Sequence, residues 1–200
     1  MDLLARDPRD VAVSQFFQWK YRLKSSKHAI NKYPERDADI SLFDFVMESD
    51  TGLKWVIGFL NLWAQEAAHI DDFFLLRYED LKAKPTETLT KLVKFMGAPA
   101  GDADVQDAVE FSSYDNMKKM EEKRTFWLSG GRMLPKDRAN PNSYKVRRAK
   151  VGGYRDYFDD KQVEQIDAYV VEKLSPFYGY TVAEQTRDDP AEPQSQASGS

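Results

Sequence analysis

Four short segments of this chain carry residue types that can grip an anion or a flat ring. The first, RDPRDVAVS at residues 6–14, joins an apolar run to what reads as a helix start. Such a turn presents free backbone N–H groups and the positive end of a helix dipole. Arg6 adds a planar fork of donors suited to phosphate, and Ser14 adds a hydroxyl about two helical turns further on. The plainer alternative is a capped helix with Arg6 in an ordinary salt bridge. The second segment, RYEDLKAKP at 77–85, puts the hydroxyl of Tyr78 at the end of another apolar run. In an open α/β fold that edge is where ligands lie; otherwise Tyr78 packs in the core while Glu79 and Asp80 open a helix. The third, FSSYDNMKKME at 111–121, offers Ser112 and Tyr114 ahead of a lysine-bearing helix that Ser112 or Ser113 also suits as a cap. The fourth, VRRAKVGGYRDYF at 146–158, sets Arg147 beside Arg148, side chains that diverge unless the backbone wraps a ligand. Ala149, Gly152 and Gly153 follow and permit close backbone approach, which is the chemistry of a phosphate clamp.

The elements that must position these groups are short. Leu3, Leu4 and Ala5 read as the last residues of a buried strand, and Phe73 to Leu76 as a second one. Asp7 is a good N-cap, Pro8 suits the first helical position and Asp10 favours the positive helix end, with Val13, Phe16, Phe17 and Tyr21 on one apolar face. Further helices are expected over 42–47, 53–67, 85–96, 105–110, 115–123 and around Val163, Ile166, Val170 and Leu174. The helix at 53–67 has Leu53, Val56, Ile57 and Leu60 on one face and Trp55, Phe59 and Leu62 elsewhere, so burial on most sides is expected. Residues 24–40 and 128–146 read as loops. We expect one domain over 1–180 and a disordered polar tail over 181–200. Two strands each followed by helix point to an α/β core, yet two are few for an open sheet with both faces covered. A chain opening in mid-strand favours further strands upstream.

Composition narrows the partners. With 42% hydrophobic and 13% aromatic residues the chain is globular rather than disordered. It has no apolar run near membrane-spanning length and no secretory leader at its start, so we expect no membrane association. It has no cysteine, which rules out disulfides and thiolate sites and fits a reducing, cytoplasmic setting. The net charge of −4 argues against a general nucleic-acid binder. Residues 118–155 nevertheless hold twelve basic and three acidic residues, a local balance of +9, which suggests a polyanionic ligand or else a solvated loop.

The four segments, in this order and near this spacing, resemble the nucleotide-binding half of the cytosolic-type sulfotransferase family, which uses 3′-phosphoadenosine 5′-phosphosulfate (PAPS). The resemblance covers roughly residues 1–180. It implies a P-loop-NTPase-like α/β fold, here incomplete, mostly helical, with a short remnant of parallel sheet. It implies that Arg6 and Ser14 hold the 3′-phosphate, that Tyr78 contacts the adenine, and that Ser112 and Tyr114 hold the base and its ribose phosphate. Arg147 and Arg148 match the two basic residues of a second signature, usually Arg-Lys-Gly, a few residues, then Gly-Asp-Trp. The donor would be PAPS with no metal, and the acceptor a small molecule with a hydroxyl or amine.

Three departures accompany the likeness. Ala149 replaces the signature glycine, Gly153-Tyr154 replaces the Asp-Trp pair, and Asp159-Asp160 stand where a Thr-Val pair often serves a dimer contact. The family's 5′-phosphosulfate loop, its lysine and its histidine base would lie upstream of Met1, so no catalytic residue is assigned; His28 and His69 are poor candidates. Three readings stay open: a sulfotransferase, a noncatalytic fragment with a weak bisphosphate site, or a helical module whose basic loop binds a polyanion such as RNA.

Overall fold

The computed structural model describes residues 1–23, 32–35, 38–123, 137, 139–146 and 148–180. The loop expected over 24–40 and 128–146, the residue Arg147 and the tail over 181–200 fall partly or wholly outside that set. Strand β1 (Asp2–Ala5) pairs in parallel with β2 (Phe74–Arg77), Leu3 opposite Leu75 and Ala5 opposite Arg77. These two strands form a two-stranded sheet, and the other regular elements of the described residues are helices. A sheet this small cannot make a core alone; helices supply it.

Helix α1 (Pro8–Tyr21) starts as its sequence dictates: the Asp7 side chain accepts from the Arg9 N–H, and Pro8 takes the first turn. It runs through the middle of the molecule, burying Ala12, Val13, Phe16, Phe17 and Trp19. Trp19 stacks on Phe45 of α2 (Leu42–Met47) with ring centroids 5.2 Å apart, and Phe16 meets Phe45 edge-on. Each such fully buried apolar side chain contributes on the order of 1.5–3 kcal/mol.

Helix α3 (Leu53–Glu66) packs by Leu53, Val56, Ile57 and Leu60. The expectation of burial on most sides is wrong. Trp55, Phe59 and Leu62 are 52%, 42% and 56% exposed. They lie off the buried face, by which α3 meets α1, α2 and the last helix, α8 (Asp160–Lys173), and Trp55 and Phe59 stack on each other at 5.7 Å. Gly52, which precedes α3, lies against α2 so closely that a Cβ would stand 2.3 Å from the Phe45 carbonyl oxygen.

After β2 the chain turns directly into α4 (Tyr78–Ala83), α5 (Pro85–Phe95), α6 (Asp102–Phe111) and α7 (Tyr114–Glu122). Met96 is 62% exposed just past α5, so it does not extend that helix's apolar face. Ser113 is the cap of α7, accepting from the Asn116 N–H. Helix α8 (Asp160–Lys173) opens on a capping box between Asp159 and Gln162, which accounts for an acid at that position.

A buried charge cluster pins α8 to the start of α1. Arg9 is fully buried and donates from Nε and Nη2 to both Asp7 oxygens at 2.9 and 2.7 Å, and from Nη1 to Asp167 at 2.6 Å. Asp167 also accepts from the Tyr154 hydroxyl at 2.6 Å and from Arg155 at 2.8 Å. Burial works against ionisation of Asp167, but the Tyr154 hydroxyl and Arg9 outweigh it and hold its pKa below the ordinary value.

Candidate functional site

The first wall of the site is the junction from β1 into α1. Arg6 is the last residue before the Asp7 cap, so its side chain emerges at the carboxyl end of the strand. Its guanidinium lies over the Tyr78 ring, 4.4 Å from the centroid. One nitrogen donates to Asp10 at 3.2 Å and to the Lys150 carbonyl at 3.1 Å. Its Nε is buried and makes no hydrogen bond. Ser14 stands further along the same helix, exposed, toward the same side.

Tyr78 opens α4, so a helix begins there as the alternative reading expected, but its half-buried ring lies under the Arg6 guanidinium and lines a cavity instead of packing in the core. Its hydroxyl donates to the Ala149 carbonyl at 3.4 Å. Burial pushes its pKa up, with Arg6 pulling the other way. Glu79 turns away and accepts from the Asp7 N–H at 3.0 Å and the Tyr180 hydroxyl at 3.0 Å.

The second signature segment forms the opposite wall. Ala149 has φ of 49° and Gly152 of 68°, so two left-handed residues bend the chain across the helix start. A 3-10 turn over Gly153–Tyr157 follows. Arg148 donates to Asp156 at 2.9 Å and its guanidinium lies 5.4 Å from the Tyr157 ring centroid. The Tyr154 ring is fully buried between the Arg9 and Arg155 guanidiniums, and its hydroxyl on Asp167 explains how Tyr replaces Trp here. Ser112 caps the end of α6, its hydroxyl donating to the Val109 carbonyl, and Tyr114 begins α7.

These groups surround one cavity of about 760 Å³. Arg6, Ser14, Tyr78, Ser112, Tyr114 and Arg148 all line it, six of the seven residues singled out in the sequence; the seventh, Arg147, lies outside the described residues. Sequence reasoning missed four charged residues that also line it: Lys82, Lys145, Lys150 and Asp10. Lys145 and Lys150 belong to the +9 stretch, so the charge count was their signal. An apolar floor comes from residues such as Leu89, Val109 and Met117. The cavity thus gathers five cationic side chains and one acid beside an apolar floor, and its volume lies in the range of small-molecule sites. His69 ends a 3-10 turn outside the cavity, and His28 lies outside the described residues.

The sulfotransferase domain model matches residues 3–178, nearly the whole described chain. This chain belongs to the sulfotransferase family. Among curated relatives, mouse sulfotransferase 2A2 is 24% identical over 181 residues, covering 87% of this chain and 56% of that protein. The flavonol 4′-sulfotransferase of Flaveria chlorifolia is 28% identical over 121 residues, 58% of this chain and 36% of its own length. Two solved structures share the fold. Mouse sulfotransferase SULT7A1 complexed with PAP superposes with a TM-score of 0.60 at 21% identity, over 86% of this chain and 56% of that one. Retinol dehydratase in complex with androsterone and inactive cofactor PAP gives 0.59 at 22%, over 88% and 47%. The sulfotransferase chain described here therefore spans about half the length of these relatives. The structure is accordingly a sulfotransferase fold that is mostly helical with a short parallel pair of strands, as the resemblance implied. No described helix of this sulfotransferase domain is long and apolar enough to cross a membrane.

Proposed function

We propose that this chain forms the 3′-phosphoadenosine side of a PAPS-dependent sulfotransferase site, acting in transfer of a sulfuryl group to a hydroxyl or amine of a small-molecule acceptor. The observation that carries the reading is the convergence on one cavity of six residues drawn from four separate segments. PAPS, when bound, supplies the sulfuryl group. The residues present suit it: Arg6 brings a buried, unpartnered Nε, Ser14 an exposed hydroxyl, and Arg148, Lys145 and Lys150 further positive charge. Arg6 and Ser14 would hold the 3′-phosphate, with Arg148 completing the clamp. Tyr78, Ser112 and Tyr114 would hold the base. The same residues select against adenylyl sulfate, which lacks the 3′-phosphate. Androsterone and retinol, named with solved relatives, are apolar alcohols, in keeping with a small hydroxyl acceptor.

Calorimetric titration with adenosine 3′,5′-bisphosphate, against adenosine 5′-monophosphate as control, tests this directly. Arg6→Ala should weaken binding of the bisphosphate about tenfold or more, since a charge-assisted contact contributes on the order of 1.5–3 kcal/mol. Equal affinity for the two nucleotides would sink the reading. So would binding that ignores the 3′-phosphate but falls steeply with salt, the mark of a general polyanion binder.

A further inference from the structure

A cavity suited to an anion contains one carboxylate that sits badly with that purpose. Asp10 lines it together with Arg6, Lys82, Lys145, Arg148 and Lys150, and its side chain is only 3% exposed. A bare negative charge there repels phosphate and costs free energy to bury. Both of its oxygens are engaged, however. Oδ1 accepts from the Tyr154 N–H at 3.0 Å. Oδ2 accepts from the Gly152 N–H at 3.0 Å and from Arg6 at 3.2 Å. The amides it catches belong to Gly152, the second of the two left-handed residues, and to Tyr154 just beyond it. Successive N–H groups at such a bend form a concavity that favours an anion, and here the protein's own carboxylate fills it. Arg6 closes the ring by donating to the Lys150 carbonyl at 3.1 Å.

We infer that Asp10 is a positioning residue for the 3′-phosphate: it fixes the 148–154 wall against α1 and aims Arg6, and so sets the distance between the two halves of the clamp. This rests on the nucleotide reading above. Asp10 need not touch the ligand. It orders the donors before the ligand arrives, so that less ordering entropy is lost on binding. The outcome has a sign that separates two roles. If Asp10 were only a repulsive neighbour, neutralising it would tighten the bisphosphate. If it positions the clamp, neutralising it loosens the bisphosphate and leaves the monophosphate alone.

The test compares the ratio of affinities for adenosine 3′,5′-bisphosphate and adenosine 5′-monophosphate in the unaltered chain and in Asp10→Asn, by calorimetry. The ratio should fall about tenfold, the scale of one lost charge-assisted contact, with monophosphate affinity unchanged. An unchanged or increased ratio, or an equal loss for both nucleotides, overturns the inference. If the unaltered chain itself shows no preference for the bisphosphate, the nucleotide reading fails, and the inference with it. Amide exchange supplies a second measurement that needs no variant to fold. In the free, unaltered chain the Gly152 and Tyr154 amides should be strongly protected although they stand at the cap and start of a 3-10 turn; rapid exchange at both would refute the anchor.

Discussion

Ala149 shows what a single methyl group does to a backbone. At φ of 49° it occupies a region where an L side chain crowds the neighbouring carbonyl, at about 1–2 kcal/mol per residue. Glycine would remove that strain but lose more freedom on folding, about 0.5–1 kcal/mol. Ala149→Gly should therefore raise stability by up to about 1 kcal/mol. Gly152, at φ of 68°, meets nothing within 4 Å of where a Cβ would stand, so Gly152→Ala adds the strain without a clash and, less the same freedom term, should cost up to about 1 kcal/mol. Denaturant midpoints of the two variants should move in opposite directions; a shared direction would mean that the bend is not held as described. The departure from the family's glycine is then a stability penalty placed at the clamp itself.

At the scale of elements, the first strand-to-helix junction was legible in the sequence because its signals are local, while the helix over Tyr78–Ala83 was only an alternative there. An acid, a proline and a following apolar stripe fix where α1 begins, whatever lies around it. Arg6 and Ser14 followed from that junction and Tyr78 from the end of the second strand, whereas Ser112, Tyr114, Arg147 and Arg148 came from the resemblance of their segments to the family's. The roles of Arg9 and Asp10 were not legible, because an acid in a first turn looks like a helix-dipole partner. What makes Asp10 an anchor is a loop 142 residues away, which no local pattern encodes. The exposed flank of α3 was misjudged for a related reason: apolar residues around a helix show that it can be covered on several sides, not which neighbours are present. The two flanks should respond differently. Leu60→Ala, on the buried face, should cost about 2–5 kcal/mol. Trp55→Gln, on the exposed flank, should change stability by less than about 1 kcal/mol. A large loss at Trp55, read from urea unfolding, would mean that the flank is covered in solution.

For the whole molecule, buried carboxylates set the response to acid, and they pull in opposite senses. Asp167, held below its ordinary value by the Tyr154 hydroxyl and Arg9 against the opposing effect of burial, contributes stability that is present above that value and lost as pH falls through the folded pKa. Asp10 and Glu79 are pushed above theirs, chiefly by burial. Their contribution is present below their ordinary values of 3.8 and 4.5 and is lost as pH rises through the folded ones. Mild acidification from neutrality should therefore first relieve Asp10 and Glu79, and the loss at Asp167 should follow only below about pH 4. Glu79→Gln keeps an acceptor for the Asp7 N–H and removes the charge. Its urea midpoint should gain less than that of the unaltered chain as pH falls from 7 to the ordinary value of 4.5; identical slopes would show that Glu79 ionises freely in the fold.

The tie between Asp10 and the Gly152 amide also sets an order in time. The parallel strand pair joins residues 2–5 to 74–77, and the clamp closes only across 142 residues. Spans of that length close after local helices have formed. During synthesis the turn with Arg6 and Asp10 must leave the ribosome and wait for a further 142 residues before its other wall exists. A molecule bound in the finished cavity then slows unfolding without hastening folding, because the contacts it reinforces come last.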